Sequence, residues 1–339
     1  TRHALDHLDQ AREQGAAVVL AEPGGDWSAD RIRSLPDDVP VFVAPGLRRE
    51  AGDIASRFFG QPAQAMRVVG ITGTNGKTTS VRFSKHILRS AGRNVGVSST
   101  DWIAVNERIL DRDDWSGPGG ARAVLRQQDV DVAILETARG GLLRRGLGVE
   151  RADAALLTNI SEDHLGDFGS RTLDELLDIK WVLSHAVRES GTLVLNADDE
   201  RLVARADDYD GSVIWFSLEA GNVVISEHIK SGGTAFVLDG HDLVRLDGDA
   251  SALICRSADI PIALGGAARH NVANALAAAA LTSCLGATLD DIAKGLTTMR
   301  QDENPGRCNL YDVNGTRVLI DFAHNPAAMS ALFDMASAI

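Results

Sequence analysis

The run Thr72-Gly73-Thr74-Asn75-Gly76-Lys77-Thr78-Thr79 places glycines, a lysine and hydroxyls where a phosphate would need them. It follows a short apolar run over 66–69 and Gly70-Ile71, and it leads into a helix-like segment over 80–89. A strand that turns through glycines into a helix gathers several backbone N–H groups and a helix N-terminus around one point, which suits an anion. Lys77 adds a mobile positive charge for the outer phosphates, and the Thr78 hydroxyl suits Mg²⁺. The usual phosphate-loop pattern has a glycine where this chain has Ile71; its glycines fall at Gly70 and Gly73 instead, so the loop is a variant. An ordinary glycine-rich strand–helix turn is the competing reading. The Gly76-Lys77-Thr78-Thr79 ending, in this context, favours a nucleoside triphosphate.

Further candidates fall at the ends of other apolar runs. Glu136 closes the run 132–135, which puts a carboxylate on the same edge as the loop, suited to a second Mg²⁺ contact; a solvated strand-end glutamate would look the same. The following Thr137-Ala138-Arg139-Gly140-Gly141 sets a basic residue among glycines, a further anion-binding turn, and Arg139 could equally meet a substrate carboxylate. Asp163-His164 comes after the run 156–160 and Thr158-Asn159, on the same expected edge as Glu136 and Lys77. Lys180 lies between the apolar Ile179 and Trp181 on a helical stretch, where lysines usually snorkel to solvent. His270-Asn271 and Asn274 open an alanine-rich helix, where polar groups more often cap than bind. Arg307, Asp321 and His324 cluster around a hairpin, with no signal beyond that clustering.

The elements that must position these residues form an α/β pattern. Residues 1–65 read as a small α/β piece: a helix over 4–14, strands over 16–21 and 39–44, and an amphipathic helix over 47–59, with Gln61-Pro62 as linker. From residue 66, strands over 67–72, 94–98, 130–136, 152–158 and 192–196 alternate with helices, notably 121–127 and 172–188. Such a rhythm implies a mainly parallel sheet with helices on both faces, whose ligands gather at the carboxyl ends of the strands. Short runs over 213–217, 223–228, 235–238, 243–246 and 252–257 suggest an antiparallel annex. Helices over 269–285 and 289–299 follow. A hairpin over 309–313 and 317–322, turned by Asn314-Gly315, opens a third unit. The expected organisation is a partial N-terminal domain over 1–65, a central nucleotide-binding domain over 66–304 and the start of a C-terminal domain over 305–339.

Composition bounds the partners. With 34 basic against 47 acidic side chains, the net charge of −13 argues against nucleic acid, though not against a local anion site. No run approaches the roughly 18 to 20 apolar residues that span a bilayer. Cys255, Cys284 and Cys308 are scattered and odd in number, which fits buried free thiols in a reducing cytoplasm.

Taken in order, several motifs together resemble the Mur ligase superfamily. They are 72–79, Leu135-Glu136-Thr137-Ala138-Arg139-Gly140-Gly141, Thr158-Asn159-Ile160-Ser161-Glu162-Asp163-His164-Leu165, Arg269-His270-Asn271-Val272-Ala273-Asn274-Ala275, Asn304-Pro305-Gly306-Arg307 and Asp321-Phe322-Ala323-His324-Asn325-Pro326. The 136–141 turn and the 305–326 segment are similar to the ligase half of the cyanophycin synthetases, and the stretch 15–62 to the end of the N-terminal domain of UDP-MurNAc-tripeptide synthetases.

The resemblance implies an ATP-dependent ligase that joins a small-molecule or peptide-like carboxylate acceptor to an amino acid through an acyl phosphate, releasing ADP and phosphate. It implies that Gly73, Thr74, Asn75, Gly76, Lys77, Thr78 and Thr79 hold the phosphates, with Lys77 offsetting charge on the transferring group. Thr78 and Glu136 would ligate one Mg²⁺, and His164 would help to hold a second. Lys180 matches a lysine carbamylated in many members, His270 and Asn271 match adenine-side contacts, and Arg307 and Asp321 match residues reaching phosphate and ribose from a hinge. The chain starts at Thr1 and stops at Ile339 inside a helix-like run, so a piece of a longer ligase is expected. The resemblance implies that these 339 residues hold no ATP-grasp half, the tail of a UDP-binding-like domain and the start of a C-terminal domain. An ATP-binding module without ligase activity is the alternative. A kinase or GTPase fits less well, since no Asn-Lys-x-Asp guanine signal occurs, and the 136–141 turn does not fit the folylpolyglutamate branch.

Overall fold

The computed structural model describes residues 3–35, 39–47, 54, 56–58, 60–149, 151–163, 165, 166 and 170–339. Its contacts divide the chain into two compact units, Thr1–Gln61 and Pro62–Ile339.

In the first unit β1 (Val19–Ala21) pairs in parallel with β2 (Val41–Val43). Leu5, Leu8, Ala21 and Ile32 form its small core. The expected first helix is a 3-10 turn, Ala4–His7, running into a helix at Leu8–Glu13. The polar stretch between the strands holds a further helix, Ala29–Arg33, whose Ser28 cap accepts from the Arg31 N–H at 3.2 Å. The helix expected over 47–59 falls largely outside the described residues.

The second unit is built on one sheet. Its strands are β3 (Arg67–Thr72), β4 (Val95–Ser98), β5 (Ile103–Val105), β6 (Arg108–Asp111), β7 (Val132–Glu136), β8 (Ala152–Leu157), β9 (Val187–Asn196), β10 (Ser212–Ser217), β11 (Thr234–Asp239), β12 (Asp242–Asp247) and β13 (Ala250–Arg256). Their order is β13-β12-β11-β10-β9-β8-β3-β7-β4-β5-β6, parallel from β11 through β4 and antiparallel at both edges. Strands covered on both faces need side chains that are apolar on both. Accordingly Ala154 and Leu156 of β8 enter one core and Ala155 and Leu157 the other. The first core lies under the helices Lys77–Ser90, Arg269–Ser283 and Leu289–Thr298, which contribute Phe83, Ile87, Ala275–Leu281, Ile292 and Leu296. The alanine-rich helix is buried almost all round, as a helix without a polar face must be.

The α/β class holds, with corrections in detail. Residues 223–228 are not a strand: Val223–Lys230 is a helix capped by Asn222, whose side chain accepts from the Val224 N–H at 2.9 Å. Its burial has a helical rather than alternating period, with Ile225 buried and Val223 and Val224 turned outward to differing degrees. The expected annex is continuous with the main sheet: β10 and β11 extend it in parallel, and only β12 and β13 run antiparallel at that edge. The helix expected over 172–188 stops at Trp181; a 3-10 turn, Val182–Ala186, then delivers the chain into β9. The hairpin β14 (Asn309–Val313) and β15 (Thr316–Ile320) stands apart from this sheet, with Asn314 at φ 53° and Gly315 at φ 79°, as a type I′ turn requires. Helix Pro326–Ala338 follows, capped by Asn325. Among the described residues no helix is long and apolar enough to cross a membrane.

Candidate active site

β3 is flanked by β8 and β7, so the turns leaving all three strands meet at one edge. Between β3 and the Lys77–Ser90 helix, Gly73 has φ 138° and Gly76 φ 85°. Both are conformations that side chains resist, and there is no room for one: a Cβ at Gly73 would lie 1.9 Å from Thr158 Oγ1, and at Gly76 2.1 Å from Asn274 Oδ1. The loop is held from β8. The Thr74 N–H donates to the Asn159 carbonyl at 2.8 Å, the Asn75 N–H to Asn159 Oδ1 at 2.9 Å, and the Thr158 hydroxyl to the Asn75 carbonyl at 2.6 Å.

The loop forms one wall of a cleft of about 530 Å³, which Thr74, Asn75, Gly76, Lys77, Thr78 and Thr79 all line. Lys77 Nζ donates to the Thr74 carbonyl at 2.8 Å. Burial pushes its ammonium below the usual lysine range, against the pull of Glu136 and Asp163. Glu136 ends β7 almost fully buried, at 1% exposure. Its carboxylate accepts from the Thr78 hydroxyl at 3.2 Å, the Thr100 hydroxyl at 2.6 Å and the Thr100 N–H at 3.2 Å. A buried carboxylate beside a hydroxyl, facing an anion cradle, fits Mg²⁺, a hard cation that takes oxygen ligands and shares its shell with phosphate and water. Among the described residues no group of three His, Cys, Asp or Glu side chains gathers for a metal. His164 lies outside the described residues. Its neighbour Asp163 pairs with His324 at 3.4 Å.

Lys180 is not on the cleft wall. The Leu173–Trp181 helix carries it beneath the loop, at 3% exposure, where Nζ donates to the Gly73 carbonyl at 2.7 Å. The snorkelling expected of a helical lysine does not occur. Burial drives its ammonium well below the usual range; the Lys77 charge and, less strongly, Arg139 push the same way, with Asp163 opposing. Two buried lysine amines therefore flank one loop, and an anion in the cleft would favour the charged form of each. Arg139 donates to Ser170 Oγ at 2.9 Å.

The remaining candidates line the opposite part of the cleft. His270 Nε2 lies 2.9 Å from Cys308 Sγ, and burial lowers the imidazole against the opposing charge of Asp321. The Asn271 amide donates to the Ile262 carbonyl at 2.8 Å and accepts from Asn274 at 3.3 Å, so in this arrangement its polar atoms serve the fold. Asp321 accepts from the Cys308 and Ala323 N–H groups at 2.8 and 2.7 Å, which shapes the turn after β15. The Arg307 guanidinium stacks 4.4 Å from the Phe322 ring.

Sequence reasoning missed several supports. Thr100 holds Glu136, and Asn75 and Asn325 exchange amide hydrogen bonds at 3.2 and 2.9 Å. Arg82, 3% exposed, donates to Asn304 Oδ1 at 2.9 Å and the Pro305 carbonyl at 3.3 Å, and pairs with Asp101. The arginine thus links the helix after the loop to the strand-end turn beside Glu136 and to the segment before Arg307. Only Asn325-Pro326, a cap followed by a first-turn proline, carried a local signal.

The Mur ligase middle domain matches residues 71–282. The cyanophycin synthetase of Crocosphaera subtropica is 37% identical over 298 residues, covering 86% of this chain and 34% of that protein. The UDP-N-acetylmuramoyl-L-alanyl-D-glutamate–2,6-diaminopimelate ligase of Bacillus licheniformis is 29% identical over 338 residues, 96% of this chain and 63% of that one. A crystal structure of a bifunctional folylpolyglutamate synthase/dihydrofolate synthase with Mn, AMPPNP and L-glutamate bound superposes with a TM-score of 0.62 at 20% identity, covering 86% of this chain and 70% of that chain. The chain spans about a third of the length of the curated cyanophycin synthetases it matches.

Proposed function

This chain belongs to the Mur ligase family, whose members are ATP-dependent amide ligases, and on that premise we propose that it binds Mg-ATP in the cleft and serves the joining of a carboxylate acceptor to an amino acid. The observation that carries the proposal is the convergence of the Gly73–Thr79 turn, the Lys77 ammonium and the Thr78–Glu136 pair on one cleft. In this reading residues 66–304 form the ATP-binding domain, 1–65 part of an acceptor-binding domain and 305–339 the start of a C-terminal domain.

The backbone N–H groups of the loop and Lys77 hold the β- and γ-phosphates and offset charge as the γ-phosphoryl group passes to the acceptor carboxylate. The amine of the amino acid then attacks the carbonyl of the acyl phosphate; the C–O bond to phosphate breaks, the amine loses a proton, and amide, ADP and phosphate result. Mg²⁺, held by Thr78 and Glu136, would neutralise phosphate charge, and His164 is the proposed ligand of a second ion. His270, Asn271, Arg307 and Asp321 are the proposed contacts to base, ribose and phosphate. For Asn271 this requires its present hydrogen bonds to be exchanged.

Lys180 is the proposed carbamylation site. Burial favours the neutral amine, the form that adds CO₂: an N–C bond forms, one proton leaves the nitrogen, and the neutral amine becomes an anionic carbamate. A ¹³C-bicarbonate NMR experiment tests it, through a carbamate resonance present in wild type and absent in Lys180→Met.

Nucleotide binding is tested by thermal shift with Mg-ATP. Ligand at about 100 times its Kd adds about 2.7 kcal/mol, a shift of a few degrees. The shift is expected to vanish in Lys77→Ala, and an equal shift in both proteins would overturn the phosphate-loop assignment. Phosphate release that depends on an added amino acid and acceptor would support ligation. Nucleotide binding without it would leave the alternative of a binding module.

A further inference from the structure

The amino ends of the parallel strands, at the edge remote from the nucleotide cleft, carry a second cleft of similar size, about 530 Å³. Four arginines line it: Arg67 at the start of β3, Arg93 just before β4, Arg151 just before β8 and Arg188 near the start of β9. Asp131 and Asp153 are its carboxylates, leaving a local excess of two positive charges on a chain whose net charge is −13. The carboxylates do not answer the arginines one for one. Asp153, with its side chain 9% exposed, accepts from Arg67 at 2.5 Å, Arg188 at 2.6 Å and the Val68 N–H at 2.8 Å. It thereby holds two guanidiniums in place on one negative charge. Asp131 accepts instead from the Asn94 N–H at 2.8 Å. Arg93 and Arg151 make no ion pair within 4 Å among the described residues, although the Arg93 charge reaches Asp291 and helps to lower its carboxyl.

We propose that this cleft is a second anion site, for a compact, multiply charged anion such as a polyphosphate or a small polycarboxylate. Guanidiniums are planar, permanently charged and forked, which suits carboxylate and phosphate oxygens. No aromatic residue lines the cleft, and its apolar lining is confined to short alanines and Met66, so it offers no aromatic face to a nucleobase. Its volume falls in the range of small-molecule sites. The site lies where residues 63–66 lead into β3, whose other end becomes the phosphate loop. An anion there would bind together the amino ends of adjacent strands β9, β8 and β3.

The test is a calorimetric titration of the full chain at low salt with tripolyphosphate and, separately, with citrate. The variants are Arg93→Gln/Arg151→Gln, Lys77→Ala, and Arg245→Gln/Arg256→Gln as a control at the far sheet edge. Tripolyphosphate also fits the phosphate loop, so wild type should show two binding events with it. Loss of two charged hydrogen-bond donors in Arg93→Gln/Arg151→Gln should weaken one of them at least about tenfold, Lys77→Ala should weaken only the other, and the control should leave both near wild type. Asp131→Asn should tighten it. Weakening in Lys77→Ala alone would place the anion in the nucleotide cleft and overturn the proposal, and equal weakening in the control would reduce it to general surface attraction. Binding of tripolyphosphate without citrate would assign a phosphate-bearing ligand, and the reverse a polycarboxylate.

Discussion

Replacing Lys180 by methionine offers the sharpest test of how the loop is supported. Lys180 is 3% exposed and its ammonium lies well below the usual lysine range, because burial and the nearby Lys77 charge disfavour the protonated form. In the unfolded chain the same group titrates near 10.4. Between the depressed folded value and about 10.4 the unfolded state therefore binds one more proton than the folded state. Stability must rise with pH across that window, by up to about 1.4 kcal/mol per pH unit for this single group, and fall as pH drops through it. Methionine has a similar reach and no proton to bind, but it leaves the Gly73 carbonyl without its donor, a cost of about 1–3 kcal/mol. The expected result is a stability gap, wild type minus Lys180→Met, that favours wild type at high pH and narrows or reverses toward neutral pH. Lys77 is lowered by burial in both proteins, and its coupling to the Lys180 charge adds to the difference with the same sign. Urea unfolding in CO₂-free buffer, followed through tryptophan fluorescence with Trp181 buried beside the substitution, measures the gap. Parallel stability curves for the two proteins between about pH 7 and about pH 10 would refute a depressed Lys180. Adding bicarbonate at fixed pH should stabilise wild type alone if the carbamate forms.

Gly76→Ala should abolish the Mg-ATP thermal shift: its φ of 85° and a Cβ 2.1 Å from Asn274 Oδ1 force the loop to move, at about 1–3 kcal/mol of strain. An unchanged shift would show that the loop tolerates the displacement. Arg82→Met should cost about 3 kcal/mol in urea unfolding, because it leaves the buried Asn304 amide and Asp101 without their partner. Asp101→Asn should cost less, since the Asp101 side chain is 35% exposed. Burial raises Cys255 to about 12 and Cys284 to about 11, and raises Cys308 as well, with Asp321 adding to the effect. All three thiols should therefore ignore Ellman's reagent near neutral pH until the chain is unfolded, and rapid labelling of the folded protein would contradict that placement.

Much of this protein was readable from local pattern. The strand–turn–helix around Gly73 to Ser90, the parallel core strands and the Asn314-Gly315 hairpin each carry their signal within a few residues, through apolar runs, glycines at strained positions and turn chemistry. So did the edge on which Lys77 and Glu136 meet, because parallel strands send all their carboxyl ends the same way. Residues 223–230 misled because Val223-Val224-Ile225 favours strand by composition, whereas the Asn222 cap and the packing of Ile225 select a helix. Strand order was not written in any segment: β3 lies between β8 and β7 through crossovers that leave no local trace. That order puts Lys180 under Gly73 and Thr100 against Glu136, and the packing of the segment after β15 puts Asn325 against Asn75 across 250 residues of chain. The same order gathers Arg67, Arg93, Arg151 and Arg188 at one edge, though each alone resembles an ordinary surface charge. Periodicity and turn chemistry report a residue's neighbours along the chain, while burial, charge partners and depressed pKa values depend on neighbours in space, which the packing of distant segments decides.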